Sequence, residues 1–116
     1  MGLRPVLGDE ALPPAARTAG TYTSGPIANA GVATLVLLAV HATAASGTPT
    51  LNASLEESAD GASWTAVPGS SAAQLTAAGN ASASAAVTKN FVRVTSTVAG
   101  TTPSVTYRAT VLVLPA

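Results

Sequence analysis

Short stretches rich in Val, Leu, Ala and Thr recur along this chain, each broken after about ten residues by Gly, Pro, Ser or Asp. That punctuation leaves room for strands but not for a series of helices of ordinary length. It predicts an all-β domain, a jelly-roll-like β-sandwich of about eight strands.

The strands follow from local pattern. Thr21 to Ile27 opens the domain, and Val32 to Ala44 makes a long strand. Ser46-Gly47-Thr48-Pro49 then turns the chain into Thr50 to Glu57, where Leu51, Ala53 and Leu55 alternate with Asn52, Ser54 and Glu56. Such alternation belongs to a strand with one wet face. Asp60-Gly61 signals a tight hairpin turn, from which Ser63 to Val67 returns. Weaker strands lie at Ala73 to Thr76 and Ala81 to Val87. A final pair, Phe91 to Val98 and Ser104 to Leu114, is joined at Gly100-Thr101-Thr102-Pro103, and Val105, Tyr107, Ala109, Val111 and Val113 share one face. A helix competes for Val32 to Ala44, since a short apolar run does not declare its period. Its β-branched content favours a central strand buried on both faces. A helical turn also fits the Ala-rich stretch Ala72 to Ala86.

The chain of 116 residues is long enough for one domain and too short for two. Residues 1–20 carry Pro5, Pro13 and Pro14, four of the ten charges and no sustained period, so they are predicted to form an extended N-terminal arm ahead of a sandwich at 21–116. Leu3, Pro5, Val6, Leu7 and Leu12, with Tyr22 at the domain's start, are its candidate contact residues. Prolines forbid a continuous helix there, so burying those side chains calls for an external groove or a neighbour's sheet edge.

Composition narrows the function. Hydrophobic residues make up 47%, too many for a disordered chain. Aromatics make up 3%, so the core must be built from small side chains that bury little area each. Lys+Arg 5 balances Asp+Glu 5, which leaves no basic field for a nucleic acid. Without Cys there is no disulfide, thiolate nucleophile or Cys-based zinc site. The run from Val32 to Val40 imitates a secretory apolar region, but its nearest upstream cation is distant Arg17. It is also far shorter than the ~20 residues of a membrane helix. A soluble, unprocessed component of a larger assembly is expected.

Catalytic groups are scarce. His41 is the one histidine, and an imidazole at a strand end is expected to be satisfied by a hydroxyl or a carbonyl. Glu56 and Glu57 are adjacent and so point to opposite faces of a strand. Glu56, Glu57 and Asp60 surround a turn but lack the alternate oxygen spacing of a calcium loop, and Asp60 suits the hairpin by tolerating positive φ. No catalytic, cofactor or metal site is therefore assigned. Asp60, Gly61 and Trp64 form a candidate tip loop, where Trp64 either caps the sandwich or stacks on a sugar. Arg93 and Arg108 are placed on strands, facing solvent or a subunit boundary.

Three segments, Glu57-Ser58-Ala59-Asp60-Gly61-Ala62-Ser63-Trp64, Asn90-Phe91-Val92-Arg93-Val94 and Gly100-Thr101-Thr102-Pro103-Ser104-Val105-Thr106-Tyr107, together resemble small all-β virion proteins of tailed bacteriophages of high-GC hosts. The likeness covers roughly Tyr22 to Val113. It implies a head decoration or cement protein, commonly a homotrimer, bound to the major capsid protein on the outer capsid surface and made in the host bacterial cytoplasm. A small tail or neck component is the neighbouring possibility. Over Leu51 to Val98 alone, the S-x-D-G-x-x-W hairpin and the aromatic-V-R-V strand also resemble discoidin-like carbohydrate-binding modules, which implies sugar binding at the tip loop.

Overall fold

The computed structural model describes residues 9–28 and 34–114. The described chain is all-β, with strands β1 (Asp9–Arg17), β2 (Gly20–Thr23), β3 (Ile27–Ala28), β4 (Thr34–Ser58), β5 (Thr65–Ala66), β6 (Gly79–Val87) and β7 (Phe91–Leu114). β4 and β7 carry the fold. They pair antiparallel from Leu35 opposite Leu114 to Ser58 opposite Phe91. A straight strand as long as β4 would reach about 80 Å. The molecule measures 46 Å along its longest axis, so the β4–β7 ribbon has to bend.

The bend lies where the sequence signals two turns. The register shifts between Ala42 and Ala44 and again between Ser46 and Thr48. Gly47 and Gly100 take φ of 73° and 122°, and Thr102 is left-handed at 43°. Ser46–Pro49 and Gly100–Pro103 therefore do not reverse the chain. They face each other across the ribbon, Thr48 opposite Thr101 and Pro49 opposite Gly100, and form one shared corner. Two strand pairs predicted from sequence thus merge into two long bent strands. The predicted strand at Ala73–Thr76 is reduced to a single bridge at Leu75, the opening strand divides into β2 and β3, and β1 is added, so the described residues hold seven strands.

Folding at the corner turns one continuous antiparallel sheet into two facing layers. In the first, the outer part of β4 lies between β6 and β7, and β1 flanks β7. In the second, β2 and β3 flank β7 while β5 pairs with β4. The segment from Val67 to Leu75 runs beside β4, with Leu51 and Leu75 exchanging both backbone hydrogen bonds at 2.8 and 3.0 Å. Val36, Leu38, Val40 and Ala42 from one half of β4 meet Leu51, Ala53 and Leu55 from the other, with Val92, Val94, Val98, Val105, Tyr107, Ala109 and Val111 of β7 completing the core. The opposite face of the first half of β4 is not buried: Leu35, Ala39 and His41 are exposed and Leu37 is half-buried. Burial on both faces fails there because no further layer of described residues covers the sheet. The described residues contain no helix, so Ala72–Ala86 yields the edge strand β6 and its approach.

The N-terminal segment also departs from the predicted arm. Residues 9–17 pair with Val105–Val111 of β7 and residues 20–23 with Thr95–Val98, so the chain follows β7 around the corner. Leu12 is buried in this chain's own core. Prolines 13 and 14 are tolerated because β1 is an edge strand and its register shifts twice, between Glu10 and Leu12 and between Leu12 and Ala15. Leu3, Pro5, Val6 and Leu7 lie outside the described residues.

Inside the bend, the Tyr107 hydroxyl lies 2.6 Å from Ser96 Oγ, although both residues belong to β7. Arg17 covers the Tyr107 ring at 4.5 Å and donates to the carbonyls of Tyr107 and Pro13, both at 2.7 Å. Burial lifts the Tyr107 phenol above its ordinary pKa, against the opposing effects of the Ser96 hydrogen bond and the Arg17 charge. A phenol raised in the folded state contributes stability that is present below about pH 10 and is lost as pH rises past it. Tyr107→Phe should cost about 1–2 kcal/mol in urea unfolding at neutral pH and flatten the alkaline loss of stability.

A Cβ on Gly47 would overlap the carbonyl oxygen of Thr102, and one on Gly100 the carbonyl oxygen of Thr48. Gly69 has a similar φ of 74° but open space around it. Gly100→Val or Gly47→Ala should therefore cost about 3 kcal/mol or more, as overpacking adds to left-handed strain, against about 1 kcal/mol for Gly69→Ala. Urea midpoints of the three variants check this ranking.

Candidate functional site

Two surfaces hold the polar groups that sequence alone singles out. The first is the tip loop between β4 and β5. There Asp60 Oδ1 accepts the backbone N–H groups of Ala62 and Ser63 at 2.8 and 3.0 Å and the Ser58 hydroxyl at 3.0 Å. Ser58 Oγ in turn accepts from the N–H of Asp60 and Gly61. Gly61 takes φ of 79°, which the turn requires and glycine supplies without strain. These donors lower the Asp60 pKa to about 2, the Ser63 and Ala62 amides having the largest effect.

The neighbouring carboxylates look elsewhere. Glu56 Oε1 accepts from Arg93 Nε at 2.8 Å, and Glu57 Oε1 accepts from the Thr88 amide at 3.3 Å. Among the described residues no three His, Asp, Glu or Cys side chains come together as a metal site. Trp64 is half-buried, and the Arg93 guanidinium lies over its ring at 4.4 Å. Glu56, Arg93 and Trp64 thus form a ladder on the outside of the second layer, joined by an ion pair and a cation–π contact. One face of the indole is already occupied. Asn90 ties the tip to the start of β7 by donating to the Ala59 carbonyl at 3.0 Å.

The second surface is the outer face of the first layer. His41 stands opposite Asn80 of β6 on one side and Arg108 of β7 on the other. His41 Nδ1 is hydrogen-bonded to Asn80 Oδ1, so Nδ1 carries the proton. The imidazole is satisfied by a side-chain carbonyl at mid-sheet. Two adjoining cavities of about 240 and 450 Å³ share His41 and Arg108 in their walls; Pro14 and Thr43 bound the smaller, Asn80 and Thr110 the larger. Beyond them on the same face are half-buried Leu37 and Leu112 and then Leu35, which is 44% exposed, the one large hydrophobic side chain so open among the described residues. Sequence reasoning reaches His41 and Arg108 singly but not their meeting with Asn80, since only strand register brings the three together.

Of the predicted contact residues, Tyr22 is half-buried, donating from its hydroxyl to the Thr18 carbonyl at 2.7 Å beside Arg17. Both Leu12 and Tyr22 are engaged inside the fold.

No protein-family model matches the chain, and no curated protein matches it. A chain from the structure of infectious bursal disease virus, Gx strain, does match in three dimensions, with a TM-score of 0.61 over 95% of this chain. The shared feature is the fold. Sequence identity is 13%, and the aligned region is 32% of the viral chain, so this protein spans about a third of that chain's length.

The Asp60 carboxylate titrates lower in the fold than its ordinary 3.8. Its stabilising effect is present above about pH 4 and fades as pH falls towards 2. Thermal melts of wild type and Asp60→Ala should therefore differ by a constant margin at neutral and mildly acidic pH, with the margin closing between about pH 4 and pH 2.

Proposed function

We propose that this chain is a non-enzymatic structural protein of a virus particle, a decoration or cement protein that binds the major capsid protein on the outside of an assembled phage head. The observation that carries this reading is the match of nearly the whole chain to part of a chain in a virus structure. The resemblance of the 57–64, 90–94 and 100–107 segments to phage virion proteins supports it from sequence. In this reading the protein is made in the host bacterial cytoplasm and resides on the virion.

The mechanism is burial of surface across joints between capsid subunits. Each Å² of apolar area removed from water is worth roughly 25 cal/mol before the costs of association. The outer face bearing Leu35, Leu37 and Leu112 is suited to that role, since no layer of described residues covers its apolar side chains. Arg93 disfavours a sugar platform at the tip, because a ring stacking on that face of Trp64 would have to displace the guanidinium.

Particles that carry the protein should survive heating or low salt better than particles stripped of it. Equal rupture would remove the stabilising role. Leu35→Asp, which alters an exposed side chain, should lower occupancy on particles at least about tenfold, whereas Trp64→Ala should leave it within about twofold. Binding of wild type to a glycan array, lost in Trp64→Ala, would favour the carbohydrate-binding alternative.

A further inference from the structure

The sandwich protects its sheet edges unequally. β1, a long edge of the first layer, carries two exposed prolines and two register shifts. β2 and β5, on the second layer, are four and two residues long. Short strands, prolines and bulges are the usual means of keeping an edge from pairing with another chain. β6 has none of them. It runs for nine residues, Gly79–Val87, contains neither proline nor charge, and stays in unbroken register with β4 from Thr34 opposite Val87 to Ala42 opposite Gly79. Among the described residues only β4 pairs with it.

An edge of this kind has a row of backbone donors and acceptors ready for another strand. Charge limits what that strand is. From Gly61 to Thr88 the sequence contains no Asp, Glu, Lys, Arg or His, a long gap even for this charge-poor chain. Pairing of identical edges about a two-fold axis brings each strand against its own sequence, so any charge near the axis would meet its like. An uncharged strand is what such self-pairing demands, whereas a foreign acidic or basic segment would find nothing complementary. The side chains agree. Centred on Ala83, antiparallel self-pairing sets Ser82 against Ser84 of the partner subunit and Ala81 against Ala85 of the partner subunit, with small groups that let the backbones approach. Ser82 and Ser84 are exposed on the outer face, where hydroxyls suit cross-strand hydrogen bonds.

We infer that β6 is an interaction surface for a second copy of this chain, the two strands pairing antiparallel to join both first layers into one continuous sheet. This gives a two-fold pair where the phage resemblance implies a trimer, and it holds whether or not the protein belongs to a virion.

Sedimentation of the purified full chain, combined with amide hydrogen exchange, tests the inference. Expected are a monomer–dimer equilibrium within about 100 µM and, on dimerisation, slower exchange at those alternate β6 amides that point away from β4. Ser82→Lys and Ser84→Lys alter exposed positions and should each weaken the dimer at least about tenfold, while Thr97→Lys on the second layer should not. If a lysine variant fails to fold by circular dichroism, the exchange pattern of wild type decides alone. A chain monomeric at every concentration, or an oligomer of any order whose outward β6 amides exchange as in the monomer, would overturn the inference.

Discussion

The hydrogen bond between Tyr107 and Ser96 closes β7 on itself. Eleven residues of straight strand would hold those side chains more than 30 Å apart, so the contact exists only if the ribbon is folded at the Gly47–Gly100 corner. Everything inside the sandwich depends on that closure, because the two halves of β4 and β7 are one another's covering layer. Arg17 adds a third element to the joint. Its guanidinium lies on the Tyr107 ring and bonds to the Tyr107 carbonyl, which pins the edge strand β1 to the same point. A core of Ala, Val and Leu with one buried tyrosine has little area to spare, and it concentrates its polar fastening where the bend needs it.

Charge is used inwardly as well. Arg17, Glu56, Glu57, Asp60 and Arg93, five of the ten Asp, Glu, Lys and Arg residues in the sequence, all bond within the fold. The ladder from Glu56 through Arg93 to Trp64 and the saturated turn at Asp60 rigidify the tip instead of presenting it. What remains on the outer face of the first layer is a field of small, hydroxyl and aliphatic side chains around His41 and Arg108. Such a surface recognises through shape and area more than through electrostatic steering.

Much of the fold is legible in the sequence because alternation is a local property. Leu51, Ala53 and Leu55 point inward as their spacing requires, Tyr107 lies with Val105, Ala109 and Val111 on the buried face, and Asp60-Gly61 makes its hairpin turn. The corner is not legible. A Gly and a Pro report only that extended backbone is interrupted, and a chain reversal and a bend shared by two paired strands interrupt it alike. The β1 segment escapes for a related reason: Pro13 and Pro14 argue against a central strand but not against an edge with bulges. The cluster of His41, Asn80 and Arg108 depends on three strands distant in sequence, and no local pattern encodes their register.

The same long ribbon dictates how the chain reaches this state. Its β4–β7 pairs are nearest in sequence where Ser58 meets Phe91 and farthest where Leu35 meets Leu114, so loop-closure entropy favours starting at the tip and zipping towards the open end. Only when zipping has passed the corner do Ser96 and Tyr107 meet, and only then does β7 offer β1 the site for Arg17. With so many pairings remote in sequence, the chain belongs among slow-folding β-proteins, on a scale of milliseconds to seconds. Loop closure is thus cheapest at the tip, where the internally bonded turn and the arginine-capped tryptophan hold the two strands at their nearest point in sequence.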